Sequence, residues 1–403
     1  MEQTQRRLPP DWRWFRLVDI GPLVDGDWIL NSDYVSSGVR LLQVGDVGTG
    51  KFVGKSSRFI TSQRARELNC TLLRPGDILI SRMPDPIGRA CQLPDLGYEC
   101  ITAVDVSIWR PVEGKADRNY LTHILNSSEW FGRVLGLASG ATRPRISRTN
   151  LEKLEIPLPP LHEQKRIAAI LNEQLAAVGR ARASAQAQLE AVTLFPATYL
   201  RSIFDGPQTE QWPLKRLGDI LRLRKDIIHP SDEPRGAATF VGLEHIESFS
   251  GARIGSVSVE MSQLTGRKPK FFRGDIVYGY LRPYLNKVWV AEFDGLCSVD
   301  QYVYCVSSDL ADTEFLAWFM RSPVYLSRAP IDTTPGQLPR IRTDEVASVE
   351  INLPPIREQR RIAVRMRDHM SRAQSLRSSI QAQLGAINRL PSALLRRAFA
   401  GEV

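Results

Sequence analysis

The chain has 403 residues, of which 43% are hydrophobic and 24% charged, so it is long enough for two or three globular domains. No run approaches 18 apolar residues, the N-terminus has no secretion signal and the five cysteines form no CxxC pair, so we expect a cytoplasmic protein with reduced thiols. The 53 Lys and Arg residues outnumber the 44 Asp and Glu residues and give a net charge of +9, which favours a polyanionic partner.

The first predicted elements, within residues 12–160, are short β-rich runs broken by Gly and Pro, such as RLLQVGDV and GDILISRM. A helical stretch over residues 120–137 follows, and together these elements predict an α+β domain. Residues 45–51 fit the phosphate-binding pattern GxxxxGK, but Phe52 stands where that loop needs Ser or Thr, and no helix is predicted after it. We therefore interpret this segment as a Gly-rich hairpin turn.

A second motif that resembles an active site is the set Asp95, Glu113 and Lys115, whose residue types match a metal-dependent nuclease. Such carboxylates must converge from adjacent strands on one metal ion, whereas Glu113 follows Pro111 in a loop-like stretch. The second half of the chain lacks the set, so chance is the better interpretation. We predict no catalytic residue and no metal site.

The next predicted element is a long helix after Pro159 and Pro160, in which apolar or small residues recur in steps of four and three. This heptad seam comprises Ile167, Leu171, Val178, Ala181, Ala185 and Val192, with Gln174 and Gln188 completing the pattern. We expect Pro196 to kink or stop the helix, because proline lacks the amide hydrogen that a helix interior needs.

The rest of the chain repeats this organisation. Residues 153–168, KLEIPLPPLHEQKRIA, return as residues 348–363, SVEINLPPIREQRRIA, at an offset of 195. Residues 212–355 are again β-rich, with a helical stretch over residues 313–322, and a second long helix follows, in which Pro391 matches Pro196. Its seam comprises Ile362, Met366, Ala373, Leu376, Ile380 and Ile387. The sequence thus predicts an internal pseudo-two-fold repeat of two units of about 200 residues.

The two seams allow either of two arrangements: each helix covers its own domain, or the two helices pack on each other. A strict 3.5-residue repeat favours helix-on-helix packing. Symmetry favours an antiparallel pair, although a parallel pair, with Gln174 beside His369 and Gln188 beside Gln383, is chemically reasonable too. Each seam covers 26 residues, or ~39 Å, which is close to the ~34–36 Å of one turn of B-DNA. The second helix carries a net charge of +8 against +2 for the first, which indicates either contact with DNA or an acidic partner, or only a solvated face.

Basic residues on turn-like backbone, some interleaved with aromatic residues, are the candidates for DNA contact, since Arg binds guanine edges or phosphates. The segments GATRPRISR, starting at Gly140, and GQLPRIR, starting at Gly336, stand just before the two helices. The candidates are Arg74, Arg82, Arg89, Arg143, Arg145 and Arg148 in the first half, and Lys270, Arg273, Tyr278, Tyr280, Arg282, Arg340 and Arg342 in the second. For each residue alone, a solvated charge, or strand core for the two tyrosines, is the alternative.

Several segments together resemble the specificity subunit of type I restriction–modification systems. They are LRPGDILISRMPDPIGRA, SGATRPRIS, the repeated Leu-Pro-Pro block with its Glu-Gln-(Lys/Arg)-Arg-Ile-Ala continuation, and the final RRAFAGEV. The resemblance implies two globular target-recognition domains, residues 1–160 and 207–355. It also implies two conserved spacer helices, residues 161–206 and 356–403, joined as an antiparallel coiled coil.

The same resemblance implies a function without catalysis. Each domain would read one half of a split, asymmetric site on double-stranded DNA, and the helices would dock two methyltransferase (modification) subunits. A restriction (nuclease/translocase) subunit would join, and S-adenosylmethionine, ATP and Mg²⁺ would bind to these partners rather than to this chain. Two alternatives from other classes are a stand-alone two-site DNA-binding regulator and a nuclease built on Asp95, Glu113 and Lys115.

Overall fold

The structure is a computed structural model that describes residues 8–140, 142–331 and 338–403. Ala141, Gly336 and Gln337, which belong to the two Arg-containing segments before the helices, lie outside the described residues. Contacts between Cα atoms divide the chain into two compact units. The first unit comprises Met1–Ala185 with Gln383–Val403, and the second comprises Gln186–Ala382.

The first unit contains nine short strands and several helices among its described residues. The strands are β1 (Arg13–Arg16), β2 (Leu23–Asp25), β3 (Val39–Leu42), β4 (Arg58–Ile60), β5 (Ile78–Ser81), β6 (Ala90–Gln92), β7 (Cys100–Thr102), β8 (Val106–Trp109) and β9 (Glu155–Leu158). The helices are α1 (Leu17–Ile20), α2 (Ser62–Glu67), α3 (Arg118–Ile124), α4 (Ser128–Gly136), α5 (Arg148–Lys153) and the start of α6 (Leu161–Phe204). The predicted helix over residues 120–137 is therefore two helices, because Ser127 caps a new one by accepting a hydrogen bond from the Trp130 amide.

The second unit follows the same plan with more strands. The strands are β10 (Leu214–Arg216), β11 (Leu221–Leu223), β12 (Ile227–Ile228), β13 (Ala237–Val241), β14 (Val257–Glu260), β15 (Lys268–Phe271), β16 (Ile276–Gly279), β17 (Val288–Val290), β18 (Gly295–Cys297), β19 (Gln301–Val306) and β20 (Glu350–Asn352). The helices are α7 (Thr313–Arg321), α8 (Pro323–Arg328), α9 (Thr343–Ser348) and the start of α10 (Ile356–Ala398).

Sheet topology shows that the two units share one frame. The first unit has sheets of order β2-β8-β5-β6, β4-β3-β7 and β1-β9, and the second has β11-β19-β16-β17, β12-β15-β18-β13-β14 and β10-β20. The parallel pair β3–β7 corresponds to the parallel pair β13–β18, and the second unit adds β12 and β15 at one edge. The α+β class and the internal repeat predicted from the sequence are confirmed.

The shared Gly-Asp-Ile motif at the start of β5 and β16 has a local physical cause. Gly76 and Gly274 have φ angles of +85° and +91°, which suit glycine in a turn. The carboxylate of the following residue, Asp77 or Asp275, is buried and accepts the amide hydrogen three residues upstream, at 2.9 and 2.7 Å respectively. The motif therefore fixes the turn from which the central strand begins.

Both long helices continue about two turns past Pro196 and Pro391, so of the two expected effects of proline, a kink or a stop, the stop does not occur. Packing holds these last turns in place of the lost backbone hydrogen bond. Leu200 and Phe204 enter the core of the second unit, and Leu395 and Ala398 enter the core of the first.

Each core shows that the helices run antiparallel, as predicted. In the first unit, residues from the start of α6 pack in the same cluster as the end of α10, and in the second unit the start of α10 shares a cluster with the end of α6. The residues from the helix starts are Ile167, Ala168 and Leu171 in the first unit and Ile362, Ala363 and Met366 in the second.

Not every predicted seam residue is buried. Leu171, Ala185, Val192, Met366, Ala373, Ile380 and Ile387 are buried with Ile167 and Ile362, and Val178 is half-buried. Ala181 and Leu376 are exposed, whereas Leu384, outside the predicted seam, is buried. From Ile380 to Ile387 the buried residues are Ile380, Leu384 and Ile387, at steps of four and then three, whereas the predicted seam steps by three and then four there.

Candidate nucleic-acid interface

The predicted DNA-contact residues divide between the two ends of the central strands β5 and β16. Arg74 precedes β5, and Lys270 and Arg273 precede β16, so these three lie at the strand starts. Of the other candidates, Tyr278 lies inside β16, and the rest follow the strands or lie on segments near their ends. A four-residue strand is ~13 Å long, so the structure does not bring the two sets together.

In the first unit, the end of β5 carries a network of alternating charges, which we call the first cluster: Asp25, Arg82, Asp105, Arg145 and Arg148. The buried guanidinium of Arg82 donates to Asp25 at 2.7 Å and to the carbonyls of Ile146 and Val104 at 2.8 and 3.2 Å. Arg145 pairs with Asp105 at 2.8 Å, and Arg148 lies 3.6 Å from Asp25. Burial lowers the pKa of Arg82, and Asp25 opposes that shift.

This network corrects one of the sequence predictions. Arg82 has its guanidinium bound within the protein, so it positions the neighbouring segment rather than facing a ligand. Arg145 and Arg148 are only half-buried, and Arg143 is exposed. The more accessible candidates at this end of the sheet are therefore Arg143 and Arg145, just before α5, and Arg148, its first residue.

Arg89 is also a structural residue. It is buried, and its guanidinium donates to the carbonyls of Val47 and Val44 at 2.6 and 2.8 Å. In the second unit, Lys287 takes the same place, since its Nζ donates to the Leu243 carbonyl at 2.6 Å. Arg89 holds the helical turn that begins at Val44 against the start of β6, and Lys287 holds the turn that begins at Leu243 against the start of β17. Arg89 is therefore no longer a candidate for DNA contact.

In the second unit, the end of β16 carries a different group, which we call the second cluster: Tyr280, Arg282, Tyr302 and Arg340. The rings of Tyr280 and Tyr302 are stacked, with centroids 4.3 Å apart and an interplanar angle of 18°. Arg340 forms a β-bridge with Leu281, and the Arg282 amide donates to the Pro339 carbonyl at 2.7 Å. Burial raises the pKa of the Tyr280 phenol, to which Asp300 also contributes, while Arg340 opposes the shift.

The remaining candidates of the second unit are separated from this cluster or exposed beside it. Tyr278 is buried, with its ring 6.0 Å from that of Tyr325, so it belongs to the core. Arg342 is exposed at the N-terminus of α9. Lys270 is half-buried in β15, and Arg273 is exposed in the turn before β16.

The two clusters occupy equivalent places in the shared frame. The Arg82 amide donates to the Asp105 carbonyl, and the Tyr280 amide donates to the Asp300 carbonyl. The Ile146 amide donates to the carbonyl of Arg82, and the Ile341 amide donates to the carbonyl of Tyr280. One backbone position therefore carries a buried guanidinium in the first unit and a half-buried phenol in the second.

Two aromatic residues near these clusters were missed by the sequence analysis. Tyr302 alternates with core residues in β19, and alternation alone did not identify its stacking partner on β16. Trp28 is 69% exposed, and it follows Asp27, which forms a β-bridge with Ala103 near the first cluster. No local signal identified Trp28, because Ile29 and Leu30 follow it and the three together resemble a short buried run.

The motifs rejected as catalytic have structural explanations. Val47 and Phe52 form an antiparallel bridge, which confirms the hairpin turn over residues 45–51. Asp95 accepts the Gly97 amide in a turn, while Lys115 Nζ donates to the Asp19 carbonyl. Among the described residues, no three His, Cys, Asp or Glu side chains are grouped as metal ligands, and no helix is long and apolar enough to cross a bilayer.

Comparisons with known proteins agree with this arrangement. Residues 9–179 match the family model described as the type I restriction modification DNA specificity domain. The type I restriction enzyme EcoKI specificity subunit of Escherichia coli strain K12 is 24% identical over 396 residues, covering 93% of this chain and 83% of that relative. The EcoDI specificity subunit of Escherichia coli is 26% identical over 296 residues, and the match spans 66% of each chain, just under two-thirds of that relative.

Two solved structures have the same fold along the whole chain. The HsdS subunit from Thermoanaerobacter tengcongensis aligns with a TM-score of 0.66 and 20% identity over 100% of both chains. A chain from a structure describing complex assembly and conformational transition of the type I R-M system aligns with a TM-score of 0.73 and 19% identity, over 99% of this chain and all of that one. At these identities the likeness concerns the fold.

Proposed function

We propose that this chain, which is similar to type I restriction–modification specificity subunits, selects a two-part, asymmetric DNA sequence for partner enzymes. The observation that supports the proposal is the pair of clusters at equivalent strand ends. Two units that share one backbone frame but carry different side chains at the same place are suited to reading two different half-sites. Arg145, Arg148 and Arg143 would act on one half, and Arg282, Arg340 and the tyrosines on the other.

In this proposal the chain contributes binding and no chemistry. S-adenosylmethionine, ATP and Mg²⁺ would be bound by two methyltransferase subunits and a restriction subunit, which meet the target by docking on the long helices. The exposed arginines of α10 suit such docking, and those in its N-terminal half are Arg357, Arg360, Arg361, Arg365, Arg367, Arg372 and Arg377. We place this work in the cytoplasm, where cellular DNA would meet all three kinds of subunit.

The test is to co-express the chain with the methyltransferase encoded beside it and to map methylated adenines in the host DNA by single-molecule sequencing. We expect a motif with two different half-sites and a fixed spacer, which disappears when this chain is omitted. A palindromic motif, or methylation that persists without the chain, would contradict the proposal. A chain that protects DNA from nuclease digestion by itself, without changing methylation, would instead be a regulator.

A further inference from the structure

The stacked pair Tyr280–Tyr302 presents an aromatic surface at the edge of the second unit. Tyr280 follows directly after β16, and Tyr302 lies in β19 opposite Tyr278 of that strand. Both rings are half-buried, and both pack against the main core of the unit. Each ring is therefore supported from below by packed side chains and remains partly open to solvent.

Cations surround this pair on backbone of fixed geometry. Arg282 is exposed and has a φ angle of +52°, in the left-handed region, where its backbone hydrogen bond to Pro339 holds it. On the other strand, Leu223 is opposite Tyr304, and the Arg224 amide donates to Val303. The exposed Lys225 is the next residue along the chain, at this same end of β11.

The equivalent place in the first unit carries no aromatic pair. Arg82 stands where the second unit has Tyr280, and Ser107 of β8 stands where it has Tyr302, because β5 and β8 pair in the same register as β16 and β19. The Ser107 hydroxyl lies 3.4 Å from Asp25, which already binds Arg82. That position is polar in the first unit and apolar in the second.

A flat, partly open ring pair suits an apolar feature of a base edge. The 5-methyl group of thymine is the apolar group that the major groove exposes, and it packs against aromatic and other apolar side chains. Guanidinium groups such as those of Arg145 and Arg148 instead suit guanine edges or phosphates. The two strand ends thus differ in whether they offer an apolar surface, and an exposed apolar methyl group is what distinguishes thymine from the other bases.

We propose that Tyr280 and Tyr302 form the thymine-methyl contact of the second unit, with Arg282 and Lys225 on the flanking phosphates. The inference rests on the proposed function and deepens it. One half of the DNA target then contains a thymine whose methyl group contributes to binding through this pair. No such contribution comes from the strand end of the first unit.

The test uses the full chain in complex with its methyltransferase subunits and duplexes that carry the mapped target. Each thymine is replaced in turn by deoxyuridine, which removes only the methyl group, and affinity is measured at fixed salt. We expect one replacement in one half-site to weaken wild-type binding about fourfold, as for one buried methyl group. If no replacement weakens binding beyond twofold, the inference is overturned even though the target itself stands.

The variant Tyr302→Ala then assigns the contact. We expect it to lose the response to deoxyuridine in that half-site and to keep its sequence preference in the other half. Tyr280→Phe should retain the response, because it keeps the ring and removes only the hydroxyl. If Tyr302→Ala responds to deoxyuridine as the wild type does, the tyrosine pair is not the contact.

Tyr199→Ala is the matched control, because Tyr199 belongs to another stacked pair of the same unit, 5.5 Å from Phe195 on α6. It should leave the deoxyuridine response unchanged. Loss of the response in this control would show that any lost ring perturbs reading, which overturns the assignment. A wild-type complex without a two-part target would instead contradict the proposed function.

Discussion

Gln164 and Gln359, the glutamines of the repeated Glu-Gln pair, are buried and join the two parts of each unit. The Gln164 amide oxygen accepts the Asp117 amide at 2.8 Å, and its nitrogen donates to the Pro159 carbonyl at 2.8 Å. Gln359 repeats these bonds with Asp312 and Pro354 at 2.8 and 2.7 Å. Asp117 and Asp312 in turn cap α3 and α7, so one side chain links the start of each long helix to the start of a domain helix.

Replacement of Gln359 by Leu should therefore destabilise the second unit. The apolar side chain leaves the Asp312 amide and the Pro354 carbonyl without their partner in a buried place, and we expect a loss of about 2–3 kcal/mol in the free energy of unfolding. Chemical denaturation of the full chain measures the change. Arg360→Ala, one residue along and exposed, is the control and should change stability by less than about 0.5 kcal/mol. Equal effects of the two variants would contradict the structural role.

Among the elements, the long helices show where burial departs from a sequence pattern. Leu376 was assigned to the seam of α10 but is 52% exposed, whereas Leu384, eight residues later, is 9% exposed. Leu384→Ala should cost about 2–3 kcal/mol, because it removes buried methyl groups and leaves a cavity. Leu376→Ala should change stability by less than about 0.5 kcal/mol.

Thermal unfolding of the two Leu→Ala variants makes a comparison in which the chemistry is identical and only the place differs. If Leu376→Ala lowers the unfolding temperature more than Leu384→Ala does, the seam predicted from the sequence, and not the one in the structure, is the buried face of α10.

The repeat and the helices were predictable because they depend on periodicity, which a sequence displays directly. The offset between KLEIPLPP and SVEINLPP predicted the shared frame, and the 4-3 steps after each Pro-Pro predicted helix-on-helix packing. The antiparallel direction of the pair was predicted from symmetry alone. The phase of the seam was harder, because steps of 4-3 and 3-4 share every second residue, such as Ala373 and Ile380. Only the packed structure distinguishes them.

The candidate site was less predictable, since a sequence does not show which cations are already bound inside the protein. Arg82 and Arg143 are the same residue type in the sequence. In the structure, Arg82 is buried and donates hydrogen bonds to Asp25 and backbone carbonyls, whereas Arg143 is exposed. The stack of Tyr280 on Tyr302 joins residues 22 positions apart through strand register, which no local pattern reveals.

At the scale of the whole molecule, each long helix begins in one compact unit and ends in the other. α6 starts in the first unit and its last turns belong to the second, while α10 starts in the second and its last turns belong to the first. Phe204 and Phe399, equivalent in the repeat, show the consequence. The Phe204 ring lies 5.3 Å from Phe315 of α7, and the Phe399 ring lies 5.4 Å from Tyr120 of α3.

Substitution of Phe399, at the end of the chain, should therefore destabilise the first unit, and substitution of Phe204, in the first half of the chain, should destabilise the second. Phe399→Ala, near the C-terminus, removes a buried ring from the first core, and we expect faster amide hydrogen exchange in α3 and no change in α7. Phe204→Ala should accelerate exchange in α7 and leave α3 unchanged. Each variant serves as the control for the other. If Phe399→Ala instead accelerates exchange in α7, the residues at the end of α10 do not belong to the first unit. Each long helix would then stabilise the unit in which it begins and not the one in which it ends.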